Sequence, residues 1–369
     1  MSDVLLSELT SLDIDWLVSV GQSIVMEPNQ SISIGAQQAS RSLANTGTNA
    51  ITNTVSADAQ TLYLILDGEI SSLKSESGIP ITLSSGDVLG SEPLLNLPAP
   101  SAHYQTTAPS RLMAVPISAL TRKVQQDREF SAHIYRAIAL LFSEQLRKLY
   151  ATSAPWLRRN SGAARDALNV FGELRDSDLD WLVSAGKIQK FGPKDFLLQA
   201  GRPVDALHII LDGEFSLALL EGDINPLVVS FNCPIETAAT MTVVNTLTKG
   251  EIAGAIAFLD SRPLPVTIRA LRDSLVLSIP RLTFTLKLQQ DLGFATRFYR
   301  ILGTQLAGMV SNALEDSGDA GQAVAASGLG DEIEFGDELD LDSLQKMSNG
   351  ANRFNWMLSR LGVSGAVMS

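Results

Sequence analysis

Residues Gly250–Ala270 read GEIAGAIAFLDSRPLPVTIRA, and the rest of the chain is organised around them. The stretch opens on a Gly-acid-x-x-Gly turn, runs on as a short apolar helix ending at Leu259, crosses a loop containing Pro263 and closes in a β-branched strand. Backbone N–H groups at the start of such a helix can cradle an anion without any charged side chain. The turn is therefore a candidate binding cassette.

Working outward, the same order of signals occurs twice. Asp13–Ser19 (DIDWLVS) returns as Asp178–Ser184 (DLDWLVS), a shift of 165 positions, and Leu64–Glu69 (LILDGE) returns as Ile209–Glu214 (IILDGE). Gly86–Gly90 (GDVLG) returns as Gly250–Gly254 (GEIAG), Val115-Pro116 as Ile279-Pro280, and Tyr135-Arg136 as Tyr299-Arg300. Matched landmarks in one order mark a tandem duplication.

Each copy reads as short helix, strands, cassette, strand, long helix. The runs LYLILDGE and LHIILDGE are β-rich and stop at Asp-Gly, a pair that favours a tight hairpin. Asp67, Glu69, Asp212 and Glu214 sit there as turn residues rather than as a pair for acid–base work. The strands Arg111–Pro116 and Ser274–Pro280 each end at a proline, which cannot continue a central strand. Phe130, Ile134, Ala137, Ile138, Leu141 and Phe142 recur at helical spacing, as do Phe294, Phe298, Ile301, Leu302 and Leu306.

Short strands, a Gly-acid-x-x-Gly cassette between strands and a closing helix resemble the cyclic-nucleotide-binding domain, over roughly residues 10–150 and 172–314. The resemblance implies an α+β, mainly β fold: two jelly-roll-type β-rolls with flanking helices in tandem, then a flexible acidic tail with a short terminal helix. It places ligand contacts at Gly90, Glu92, Ser101 and Ala102 in the first cassette, and at Gly254, Ala255 and Leu264 in the second. In that family a Glu after the second glycine holds the ribose 2′-hydroxyl, and an Arg after the loop proline neutralises the cyclic phosphate. This chain has Ala255 and Leu264 there. A desolvated phosphate needs the bidentate fork of an arginine, which no aliphatic side chain imitates. Arg262 and Arg269 lie close by, either to swing toward the pocket or to serve as ordinary surface arginines. In the first cassette Glu92 comes one residue late, and Ser101 or Pro100 takes the arginine position. Pro93 suits the opening of the cassette helix, which makes Glu92 its capping acid. His103 either adds a donor to an anion or packs. Both cassettes read as degenerate, so cyclic nucleotide is a doubtful ligand and no other cofactor is implied.

Composition narrows the classes further. With 40 acidic against 28 basic residues and a formal charge of −12, the chain lacks the cations that duplex binding requires. The one cysteine, Cys233, excludes a disulfide framework, fits a reducing, cytoplasmic setting and reads as a half-buried small hydrophobe. The first residues lack the basic-then-apolar layout of a signal peptide, and no run approaches the roughly 18 apolar residues of a membrane span. His103, His133 and His208 are far apart and support no metal site. No nucleophile elbow, P-loop or dinucleotide fingerprint occurs, so no catalytic residue is assigned.

The expected layout is a first domain over 1–150 with a mobile insertion at 35–60, a linker over 151–171, a second domain over 172–314, an acidic tether over 315–337 and an amphipathic segment over 338–369. Trp156 in the linker is a candidate for docking the domains together, with Arg158-Arg159 on a solvated face. Within the second copy's excursion from Glu221 to Lys249, LVVS from Leu227 and MTVV from Met241 read as strand edges. Glu315 to Asp342 holds ten acids and no Lys or Arg. Beyond it Phe354, Met357, Leu358 and Leu361 form one helical stripe with Trp356 beside it, suited either to the chain's own domain or to a partner's groove. The whole reads as a non-enzymatic regulatory or scaffold protein, reaching a protein partner through its insertions or terminal helix and able to pair as a homodimer through its long helices. The alternative is a cyclic-nucleotide sensor that binds through one domain and signals through a partner.

Overall fold

A computed structural model describes residues 4–34, 54–56, 60–72, 82–97, 102–151, 171–220, 241–315 and 341–363. The chain divides into two compact units, Met1–Leu141 and Phe142–Ser369.

Unit 1 begins with helices α1 (Val4–Glu8) and α2 (Ser11–Val20), followed by two sheets. One sheet has the order β1 (Gln22–Met26), β9 (Ser110–Pro116), β4 (Thr61–Asp67), β7 (Val88–Leu89). The other has the order β3 (Thr54–Ser56), β2 (Ser31–Ile34), β8 (Ala102–Thr106), β5 (Glu69–Ser72), β6 (Thr82–Ser84). Met26, Ile34, Tyr63, Ile65, Ile70, Leu83 and Leu112, drawn from both sheets, form one buried core. Helices α3 (Ile117–Gln126) and α4 (Arg128–Ala151) follow, and the last turns of α4 belong to unit 2.

Unit 2 repeats this plan. Helix α5 (Asp176–Ala185) leads into a sheet ordered β10 (Lys187–Phe191), β17 (Ser274–Pro280), β12 (Ala206–Asp212), β15 (Ile252–Ala253). The second sheet is ordered β11 (Phe196–Leu198), β16 (Thr267–Ala270), β13 (Glu214–Leu220), β14 (Met241–Thr248). The cassette helix α6 (Ala255–Asp260), then α7 (Arg281–Gln290), α8 (Leu292–Glu315) and α9 (Leu341–Arg360) complete it. Strand for strand the two orders coincide, apart from β3. The register breaks also coincide, between Ile65 and Asp67 and between Ile210 and Asp212.

The duplication extends to side chains. Trp16 meets Phe130 edge-on at 5.2 Å, as Trp181 meets Phe294 at 5.4 Å. Lys123 pairs with Asp127 at 2.7 Å, as Lys287 pairs with Asp291 at 2.8 Å. Buried Asp13 is bonded to the His133 ring at 3.0 Å, whereas its counterpart Asp178 takes a bidentate Arg297 at 2.7 and 2.8 Å. Burial opposes ionisation of Asp13, but hydrogen bonds from His133 and Thr10 outweigh it and hold the carboxyl below its ordinary value. The apolar stripes read from sequence, Phe130 through Phe142 and Phe294 through Leu306, are buried as their spacing requires.

Four expectations are corrected. Helical residues outnumber strand residues among those described, so the fold is α+β rather than mainly β. The Asp-Gly pairs do not make hairpins: β4 and β5, like β12 and β13, lie in different sheets, and the glycine is the corner between them. Gly68 and Gly213 hold φ values of +97° and +104° there, and a Cβ would fall 2.2 Å from the Ser110 hydroxyl and 2.0 Å from that of Ser274. Only glycine fits such a corner. Within 35–60, Thr54–Ser56 forms β3, parallel to β2, because Thr and Val suit an extended edge. The terminal helix is longer than expected, at 20 residues. Ser101, Trp156, Arg158, Arg159, Cys233, Leu227–Ser230 and the tether beyond Glu315 lie outside the described residues.

Candidate ligand cassettes

In both copies the acid of the Gly-acid-x-x-Gly turn braces the turn itself. Glu251 accepts from the Thr248 hydroxyl at 3.1 Å and from its N–H, and Asp87 accepts from the Ser84 N–H at 2.9 Å. The turn is tied to the strand beside it by two backbone bonds in each copy. The Gly250 N–H donates to the Ile210 carbonyl at 2.8 Å and the Ile210 N–H to that of Glu251 at 3.0 Å; Gly86, Ile65 and Asp87 repeat this at 2.9 and 3.0 Å. Gly90 and Gly254 both sit at positive φ, +74° and +85°, so each glycine is required by the backbone as well as by the resemblance.

In the second cassette every residue from Ala255 to Leu259 is buried. Leu264, at the phosphate-arginine position, is 2% exposed, and its carbonyl accepts from the Gly201 N–H at 2.9 Å. Arg262 and Arg269, the two arginines close to it in sequence, are engaged with the protein. Arg262 bonds to Asp260 at 3.0 Å and to Glu144. Arg269 donates to the Lys194 carbonyl at 2.8 Å and lies over the Phe196 ring. Two arginines that sequence reasoning missed complete a brace. Arg147 grips Asp260 at 2.6 and 2.9 Å and the Pro263 carbonyl at 2.8 Å, while Arg281 donates to the Phe258 carbonyl at 2.9 Å and the Ser261 hydroxyl at 2.6 Å. Arg147 lies more than a hundred residues from its targets, so no local pattern could have found it. Three guanidinium groups, two of them from outside the cassette, thus satisfy the end of α6 and its loop.

The first cassette is built differently. One 3-10 turn, Glu92–Leu95, replaces a helix, with Pro93 in its first positions and Asn96 at φ +60° ending it. The Tyr135 hydroxyl donates to the Leu94 carbonyl at 3.2 Å. The Glu92 carboxyl takes hydrogen bonds from the N–H groups of Ser91 and Glu92 at the start of this turn. Its Oε2 is buried and has no hydrogen-bond partner among the described residues. Burial drives the Glu92 carboxyl above its ordinary value, although N–H groups of Glu92 and Ser91 pull the other way. Burial, with the Glu92 charge adding to it, pushes the Tyr104 phenol up to about 12. Ala102 lies in β8 opposite Ile34.

The terminal stripe is divided by the structure. Phe354 and Met357 are fully buried within unit 2, Leu358 and Leu361 are half-buried, and Trp356 is 39% exposed. In this structure the apolar surface of Phe354 and Met357 is covered by the chain's own second unit.

Two sheets ordered as above, with a glycine-bounded cassette between strands, define a β-roll. Residues 188–291 match the family model described as the cyclic nucleotide-binding domain, and unit 1 repeats that topology, so the chain is a tandem protein of this domain fold. No curated protein matches the chain. Among solved structures it is similar to the regulatory domain of Toxoplasma gondii PKA, crystallised with cAMP, at 15% identity over 79% of this chain and 89% of that one, with a TM-score of 0.28. The regulatory subunit of a cAMP-independent protein kinase A from Trypanosoma cruzi, bound to guanosine, is 16% identical over 78% and 80%, with a TM-score of 0.27. The c-di-GMP responsive regulator CLP of Xanthomonas campestris is 15% identical over 38% and 62%, with a TM-score of 0.32. No helix among the described residues is long and apolar enough to cross a membrane.

Proposed function

We propose that this chain is a non-catalytic regulatory protein of the cytoplasm that uses two cyclic-nucleotide-binding folds as platforms for a protein partner, its second cassette having given up phosphate recognition. The observation that carries this reading is the second cassette itself. A leucine buried in the fold stands at the phosphate position, and Arg147, Arg262, Arg269 and Arg281 around the cassette are committed to the protein's own carboxylates and carbonyls. An anion entering there would lose its water without gaining a paired cation. Calorimetry of the full chain against cyclic AMP, cyclic GMP and a cyclic dinucleotide, with thermal shift alongside, tests it. Silence up to millimolar ligand is expected. Micromolar binding with a raised melting temperature overturns the platform reading.

Glu92 favours a second reading for unit 1 alone, in which the chain is a sensor. A buried carboxylate oxygen with no hydrogen-bond partner is an acceptor awaiting a donor, such as a ligand hydroxyl. Under this reading binding is detected, is lost on Glu92→Gln and survives substitution of Leu264.

A further inference from the structure

Unit 2 holds a helix-binding slot that neither cassette explains. Helix α9 is seated in it by one stripe, Gly350, Phe354 and Met357, the buried positions among its described side chains. The Phe354 ring meets Phe171 edge-on at 4.7 Å, with the Lys249 ammonium 5.3 Å above it. Arg353 donates to the Gly172 carbonyl at 2.7 Å. Around the rim, Arg353 faces Asp176 at 3.5 Å and Arg360 faces Asp180 at 3.7 Å, both through exposed carboxylates. Exposed ion pairs of this length add little, so the seat stands on Phe354 and Met357.

The slot is particular to the second copy. At the repeat shift of 165, Leu6 stands where unit 2 has Phe171 and Ser11 where it has Asp176. The aromatic floor and the first acid of the rim are absent from the first copy's sequence. We infer that the slot is a reversible receptor for an amphipathic helix bearing an aromatic anchor, a methionine three residues later and a flanking arginine, and that its resident occupant is the chain's own segment 341–363. A helix held by one stripe opens as a unit more easily than the sheets do. The sequence from 316 to 340 keeps the released helix near its slot at high effective concentration. Release exposes Phe354 and Met357, an apolar stripe for a partner's groove. The inference is independent of ligand binding in either cassette.

The test uses the full chain and a fluorescently labelled synthetic peptide of residues 341–363, followed by anisotropy. Phe354→Ala in the chain weakens the resident helix, so this variant binds the wild-type peptide at least tenfold more tightly than the unmodified chain does. A peptide carrying the same substitution does not bind. Hydrogen exchange on the full chain should show α9 amides exchanging together and at least tenfold faster than those of Phe294–Leu306, with Met357→Ala accelerating α9 and Phe171–Glu173 but not β12 or β17. The inference is overturned if the Phe354→Ala chain takes up no peptide, or if α9 is protected as strongly as α8 and Met357→Ala loosens all of unit 2 alike.

Discussion

Replacing Leu264 by arginine restores the residue type that the resemblance expects, and the structure says that this fails. Leu264 is 2% exposed and its backbone is tied to Gly201 and Arg202. Removing the leucine gives up about 1.5–3 kcal/mol of burial. A guanidinium in its place is either buried without a partner, at a cost of a further few kcal/mol, or forces the loop open. The sum is about 4–6 kcal/mol against unit 2. For a domain of this size each kcal/mol moves the midpoint by roughly 2–4 °C, so its transition should fall by roughly 10–20 °C in scanning calorimetry. Cyclic AMP should not rescue it, because Ala255 still offers nothing to a ribose. A variant that melts within 2 °C of the parent and binds cyclic AMP at micromolar concentration refutes the reasoning, since Leu264 would then face a ligand site rather than the interior.

Other substitutions probe the rest of the construction. Arg147→Ala should cost unit 2 about 2 kcal/mol in denaturant unfolding, Arg262 still partly pairing Asp260, and a double-mutant cycle with Asp260→Ala should return a coupling of similar size. Because the Glu92 carboxyl is raised in the folded chain, its contribution is fully present below the ordinary value of 4.5 and is lost as pH climbs through the folded value; Glu92→Gln should flatten that loss and hold or raise the unit 1 midpoint at pH 7. Asp13 is the opposite case: depressed in the fold, it contributes above 3.8 and is lost as pH falls through the folded value, and His133→Ala should move this acid limb to higher pH in circular dichroism titrations. Gly213→Ala should destabilise unit 2 by about 3 kcal/mol, read from its thermal midpoint, because the new Cβ meets the Ser274 side chain at positive φ.

The cassettes were legible because their parts are contiguous. A turn of two glycines and an acid, a short apolar run and a proline loop lie within about twenty residues, and backbone rules fix what such a run can do. The departures at Ala255 and Leu264 were equally plain. Glu92 was visible as an acid out of register, but that its Oε2 is buried without a partner among the described residues was not, because satisfaction depends on which groups the fold brings around it.

By itself the sequence determined the duplication, the helical stripes and the element order of each copy, since periodicity and repetition are properties of the chain alone. Tertiary structure decided the rest. The Asp-Gly pair reads as a hairpin in any local window, yet whether the next strand pairs back or crosses to a second sheet depends on which distant strand bonds to it. The arginines near the second cassette look free in sequence, and only folding brings Glu144 to Arg262 and the Lys194 carbonyl to Arg269. The stripe on α9 could be read as apolar from its spacing, but what covers it was settled by Phe171, nearly two hundred positions away. Spacing along a chain sets which side chains share a face; contact across the fold sets what that face meets.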